Sequence, residues 1–345
     1  MGVTDKELID LIKKGLSFST PTGTAYEYSN LGYAMLGYII KRVTGKPYEQ
    51  YINETIIRPL GMTSTYWEFS KIPKRQLAHG YRWINNNWQE EALLSHGAYG
   101  AMGGLITSLE DFIKYMNLHM NAWPPRHDTE ATVAKRSSLR EMHKPWNFST
   151  LNAQYKYPGG RPCAVASAYG YGLRWTSDCE GRTTVGHSGG LPGFGSNWTF
   201  LPEYGIGVIC FANVTYAPTS IINTKVLDTI LAISKIKPRQ LIPSRILLQR
   251  QQELMEILPG WNTKGKNIFA ENFFLDYSIN ALRSEANELF TKAGQIKQVK
   301  EIVPTNNLRG AFIIEGEHSN IEVRFTLTPE QVPLIQEYRI REIPK

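Results

Sequence analysis

The chain has 345 residues, 42% of them hydrophobic and 20% charged, with a net charge of +7. That is globular composition with room for two or three domains, and it excludes disordered and fibrous classes. No apolar run approaches the roughly 18–20 residues of a membrane helix, three cysteines (Cys163, Cys179, Cys210) exclude a disulfide scaffold or a four-cysteine zinc site, and the positive charge is too scattered to make a nucleic-acid face.

The chain opens without the charged and then apolar pattern of a signal peptide. Thr4 and Glu7 form a capping box ahead of an amphipathic helix carrying Leu8, Ile9, Leu11 and Ile12. Helical spacing of Leu31, Ala34, Met35, Tyr38, Ile39 and Val43 predicts a second helix ending at Gly45-Lys46-Pro47, and a third follows over 47–57. Residues 71–165 read as loop-rich. Trp83 and Trp88 flank a hairpin turn at 85–87 or rim a cleft. Ser108 caps a helix beginning at Leu109, Tyr99 is a candidate cleft residue beside the glycine-rich 100–104, and 122–162 is expected to be irregular. Residues 166–235 read as an antiparallel meander, with strands at 171–175, 182–186, 197–201 and 207–213, closed by an apolar helix over 221–233. The expected division is a domain over 1–243, a linker helix over 244–258 and a small α+β module over 259–345. That module has a helix at 275–293 and strands at 297–303, 310–316, 320–328 and 334–342, a pattern loosely similar to cystatin-like or nuclear-transport-factor-like modules, which bind small ligands or dimerise.

None of the seven histidines falls in His-Glu-x-x-His spacing, and no Cys-x-x-Cys, Walker A or Gly-x-Ser-x-Gly motif occurs. Neither a metal nor a cofactor is expected. Two short motifs remain: Tyr28-Ser29-Asn30, just before the second helix, and His187-Ser188-Gly189-Gly190, at the end of a strand. Singly they fit packing residues. Together and in this order they resemble the serine β-lactamase and penicillin-binding-protein superfamily, and more narrowly its class C-like branch of esterases, D-aminopeptidases and D,D-peptidases. The segments 21–33, 58–62, 101–111 and 169–175 extend the resemblance over about residues 1–235.

The resemblance implies an α/β (α+β) fold with an antiparallel sheet flanked by helices. It also implies acyl transfer through a serine ester, on an ester, amide or D-amino-acid peptide. Tyr28 would be general base and then acid. Asn30 would bond the substrate amide or orient a lysine. His187 would assist proton transfer or hold a carboxylate, and Ser188, Gly189 and Gly190 would line the strand edge, with the Gly190 N–H as an oxyanion donor. Histidine in place of the usual lysine is a weaker, pH-dependent cation, which favours an ester or peptide hydrolase over a true β-lactamase. Tyr169 and Tyr171 are read as structural.

The family's Ser-x-x-Lys is absent ahead of Tyr28. Its one occurrence is Ser234-Lys235-Ile236-Lys237 at a helix end. The expectation is an N-terminally incomplete chain that lacks nucleophile, activating lysine and the first strands of the sheet, and is therefore inactive as written. Two other readings stand beside it: a non-catalytic descendant that binds peptide or cell-wall ligands, and a function governed by partner binding or dimerisation through the C-terminal module. The expected partners are a small-molecule or peptide substrate, with no nucleic acid and no membrane span. The resemblance favours the periplasm or cell envelope of a bacterium.

Overall fold

A computed structural model describes residues 2–126, 128–130, 133–263 and 267–345. The chain divides into two compact units, Met1–Arg239 and Gln240–Lys345.

The first unit begins with α1 (Asp5–Lys13), whose capping box is formed as the sequence predicts. Helix α2 (Asn30–Thr44) starts where the Ser29 side chain accepts the Gly32 N–H, and it ends at Gly45, whose φ is 72°. The expected third helix is present in two forms, α3 (Tyr48–Ile52) running into a π-helical turn at Asn53–Ile57. A hairpin of β1 (Tyr81–Ile84) and β2 (Asn87–Glu90) follows. Asn85 and Asn86 both take positive φ, as a tight hairpin turn requires. Trp83 and Trp88 are cross-strand partners with rings 5.0 Å apart. The hairpin is rooted after the last strand of the main sheet: Tyr81 N–H donates to the Asn213 carbonyl and Thr215 N–H to that of Tyr81. Tyr99 precedes the short α4 (Gly100–Gly103).

Helix α5 (Leu109–Met120), capped by Ser108, lies on the main sheet. The stretch expected to be irregular also holds α6 (Arg136–Met142) and β3 (Asn147–Asn152). Every residue of β3 is exposed, so it carries no alternation to reveal it. The sheet continues with β4 (Val165–Tyr169), β5 (Arg174–Asp178), β6 (Thr183–Leu191), β7 (Phe194–Leu201) and β8 (Ile206–Ala212), each antiparallel to the next. The strand expected at 171–175 is displaced, because Gly172 with φ 75° turns the chain between β4 and β5. Met116, Leu173, Val185, Trp198 and Phe200 form the core between α5 and the sheet. Cys163 and Cys179 form one disulfide, and Cys210 is free.

Helix α7 (Thr219–Ser234) covers β7 and β8 through Thr219, Asn223 and Leu227, leaving Ile221, Ile222 and Ile233 exposed. Ser234 is its last residue, and its hydroxyl donates to the Ile230 carbonyl at 2.6 Å. Lys235 then turns left-handed with φ 51°, so Ser234 and Lys237 do not share a helical turn.

The second unit packs α8 (Arg245–Ile257), α9 (Phe273–Asp276) and α10 (Ile279–Ala293) with a sheet in the order β10 (Val303–Asn306), β11 (Arg309–Gly316), β12 (Asn320–Leu327), β13 (Ile335–Ile343). Strand β9 (Ile296–Val299) also pairs with β11. The single strand expected at 297–303 is thus two strands separated by residues 300–302. Alternate residues of β11 and β12 are buried, as for a sheet with one covered face. The helix read as a linker sends Leu247, Leu254 and Ile257 into this core.

Candidate functional site

The two sequence motifs converge in the first unit. Helix α2 and its cap hold Tyr28 just ahead of the first turn, with the residue 44% exposed. Its centroid lies 5.8 Å from the His187 ring, 6.0 Å from Tyr169 and 6.3 Å from Tyr33. Tyr26 stacks on Tyr169 at 4.9 Å. Asn30 opens α2 in an exposed position, while Ser29 is occupied as the cap.

His187 sits on β6 where that strand outruns its neighbour. β5 pairs with β6 only as far as Gly186, whereas β7 pairs with it through Leu191. Residues 187–191 therefore bond a strand on one side and present an open edge on the other, the form a sheet takes when an extended ligand can add to it. Ser188, Gly189 and Gly190 lie on this segment opposite Asn197, Ser196 and Gly195.

The hydrogen bonds fix the protons. The Ser188 carbonyl can only accept, so His187 Nδ1–H donates to it at 2.7 Å. The imidazole is neutral, because burial and the nearby Arg174 charge pull its pKa down against that bond. Nε2 then accepts from the Tyr169 hydroxyl at 3.0 Å, and the Tyr169 oxygen accepts from Tyr33 at 3.3 Å. Burial and its bond to Tyr33 hold the Tyr169 phenol well above the usual tyrosine range, so it stays a donor. The sequence placed Tyr169 among structural residues, yet here it carries the tyrosine-to-histidine chain. The available signal was its place in Tyr169-Gly170-Tyr171-Gly172, a motif of the resembling segments.

This chain predicts the effect of Tyr169→Phe. The ring stays, but His187 Nε2 loses its donor and the Tyr33 hydroxyl its acceptor. A stability loss of about 1–2 kcal/mol is expected. The His187 imidazole should protonate more readily, because a bond to its neutral form is gone. Nitrogen-15 spectra of the ring check this: the Nδ1–H tautomer held by the Ser188 carbonyl should persist, with its titration moved to higher pH.

Of the other candidates, Trp83 and Trp88 are about half exposed on the hairpin rather than buried. Tyr99 lies in the turn leading into α4. Among the described residues no cluster of His, Cys, Asp or Glu could hold a metal ion, and no helix is long and apolar enough to cross a membrane.

An antiparallel meander between helices, with a tyrosine ahead of a helix and a histidine–glycine strand end open on one side, defines a protein of the serine β-lactamase and penicillin-binding-protein superfamily. The family model described as Beta-lactamase matches residues 10–229, and the chain belongs to that family. It is 29% identical over 205 residues to an unguisins hydrolase, ungD', of Aspergillus campestris (strain IBT 28561), covering 58% of this chain and 35% of that protein. It is 28% identical over 230 residues to protein flp of Staphylococcus aureus (strain N315), covering 61% and 40%. The chain thus spans well under half the length of these curated relatives. Among solved structures it is similar to a penicillin-binding protein homologue from Pyrococcus abyssi, described as octameric. The TM-score is 0.53 and the identity 21%, over 98% of this chain and 70% of that one. It is also similar to a penicillin-binding protein from Bacillus halodurans, with TM-score 0.51 and 19% identity over 65% and 62%. These likenesses are of fold.

Proposed function

We propose that the first unit is the substrate-holding part of a hydrolase that transfers acyl groups through a serine ester. Its substrates would be esters, amides or D-amino-acid peptides. The observation that carries this reading is the Tyr169–His187 bond at 3.0 Å, with Tyr28 at 5.8 Å, beside the open edge of β6. Tyr28 is assigned proton transfer to and from the reacting oxygen and leaving group, and Asn30 a bond to the substrate amide. The Gly190 N–H is assigned the developing oxyanion, with Ser188 and Gly189 alongside the bound chain. His187 has both nitrogens engaged and is uncharged, so it offers a substrate carboxylate no cation. That supports neutral esters and amides over a carboxylate-bearing β-lactam.

The sequence given holds no Ser-x-x-Lys except Ser234–Lys237, whose serine and lysine lie off a common helical turn. By this reading the chain by itself binds such substrates without turning them over. A non-catalytic role in binding peptide or cell-wall ligands rests on the same absence. The test uses the full chain with p-nitrophenyl acetate and phenylacetamide. Phenylacetamide is expected to move the His187 ring resonances. p-Nitrophenyl acetate is expected to give no burst and no acetylated serine by mass spectrometry. An acetylated serine would overturn the inactivity, and unmoved His187 resonances would overturn the site.

A further inference from the structure

Tyr216 belongs to no motif, yet it stands over the glycine segment. It is 68% exposed and takes φ 50°. A left-handed backbone is strained for a non-glycine residue and persists where the surroundings impose it. Here they do. The Tyr216 N–H donates to the Phe194 carbonyl at 3.2 Å, and Ala217 N–H closes a turn onto Val214 at 3.2 Å. The preceding Thr215 hydroxyl accepts from Gly193 N–H at 2.7 Å. The turn is thereby bonded to the β6–β7 hairpin end at Gly193 and Phe194.

The result is a ring laid against Gly190. A methyl group at that glycine would come 2.7 Å from Tyr216 Cε1 and closer still to Cδ1. Side chains alternate along a strand, so His187 and Gly190 address opposite faces of β6. They are about 10 Å apart at the rise of a strand. Tyr28 and Tyr169 therefore sit by the His187 face, and Tyr216 by the Gly190 face. An extended substrate added to the edge would send successive groups to the two faces in turn. An exposed aromatic ring on a left-handed backbone, close against a glycine of the open strand end, is a wall awaiting an apolar surface.

We propose that Tyr216 sets the substrate preference of this site, selecting esters or amides with an aromatic or bulky apolar group on the Gly190 side of the reacting carbonyl. The inference rests on the reading of the site given under Proposed function. The full chain is titrated with phenylacetamide and with acetamide, the His187 ring resonances reporting occupancy. Phenylacetamide should bind about tenfold more tightly than acetamide. Tyr216→Gly accepts the left-handed backbone, so it should fold, and it should bring the two amides within twofold of each other with acetamide binding unchanged. Tyr216→Phe should keep the preference. A preference that survives Tyr216→Gly, or equal binding of the two amides to the unsubstituted chain, overturns the role of Tyr216 and leaves the site standing. If neither amide moves His187, the site itself fails and the inference falls with it.

Discussion

Lowering the pH from 7 to 5 is expected to cost the protein about 4 kcal/mol of stability, about 2 from each of two histidines that take no part in the candidate site. His119 on α5 and His143, just after α6, are buried and bonded to one another, Nδ1 of the first to Nε2 of the second at 2.8 Å. The Trp123 indole N–H donates to His143 Nδ1 at 2.9 Å. Indole only donates, so Nδ1 of His143 is bare, its Nε2 carries the proton, and that proton goes to His119 Nδ1. His119 Nε2–H is left buried without a partner, among the rings of Tyr115, Trp198 and Phe200. A proton added to either ring would be buried charge with no acid beside it.

Burial lowers the His119 pKa to about 4. Burial together with the neighbouring His119 and Arg140 takes His143 to about 3. Both lie below the unfolded value of about 6.5. The unfolded chain therefore binds protons first, so stability is full above pH 6.5 and falls as pH drops toward 4. The loss for the first proton reaches about 3 kcal/mol. His187, also lowered by burial, acts in the same direction. Asp111 and Asp178, where hydrogen bonds outweigh burial, titrate only below this window. Urea midpoints at pH 7, 6 and 5 measure the effect, and His119→Phe should flatten the curve. A midpoint unchanged between pH 7 and 5 would mean that the pair opens to water.

The elements that could be read in the sequence are those whose cues are local. Thr4, Ser29 and Ser108 cap helices where the sequence puts them, and the Asn85–Asn86 turn pairs Trp83 with Trp88. Tyr28 and His187 were legible only as motifs, and their nearness depends on how α2 meets the sheet. The polar chemistry that depends on register was hidden. Tyr169 resembles any strand tyrosine until β4 and β5 aim its hydroxyl at His187. His119 and His143 are 24 residues apart and share no spacing that a motif would capture. Helix α7 shows the same limit from the other side. Its isoleucines suggest the buried face, yet an asparagine holds the centre of the contact.

Asn223→Ala is expected to cost roughly 2–4 kcal/mol, more than the loss of an isoleucine from the exposed side of the same helix. Asn223 is fully buried. Its Nδ2 faces three oxygens: Asn197 Oδ1 at 2.7 Å, the Asn197 carbonyl at 3.0 Å and the Val208 carbonyl at 3.2 Å. Asn197 in turn donates from Nδ2 to the His187 carbonyl at 3.3 Å. Asn223 thus joins α7 to β7 and β8 and, through Asn197, steadies the strand that carries the candidate site. Alanine takes a donor from each of those buried oxygens, leaving Asn197 Oδ1 only its bond from the Thr199 hydroxyl at 2.9 Å, which is why the cost exceeds the small change in apolar surface. Asn223→Asp is the sharper test, since it keeps the shape and replaces the amide donor with a fourth acceptor. It should be less stable than the alanine variant at pH 7 and recover as acid protonates it, and its His187 resonances should broaden as Asn197 loses its hold. An aspartate variant as stable as the original would mean that the amide is oriented with its oxygen toward the strands. The donor to those carbonyls would then have to come from elsewhere, and the tie from α7 to His187 would not exist.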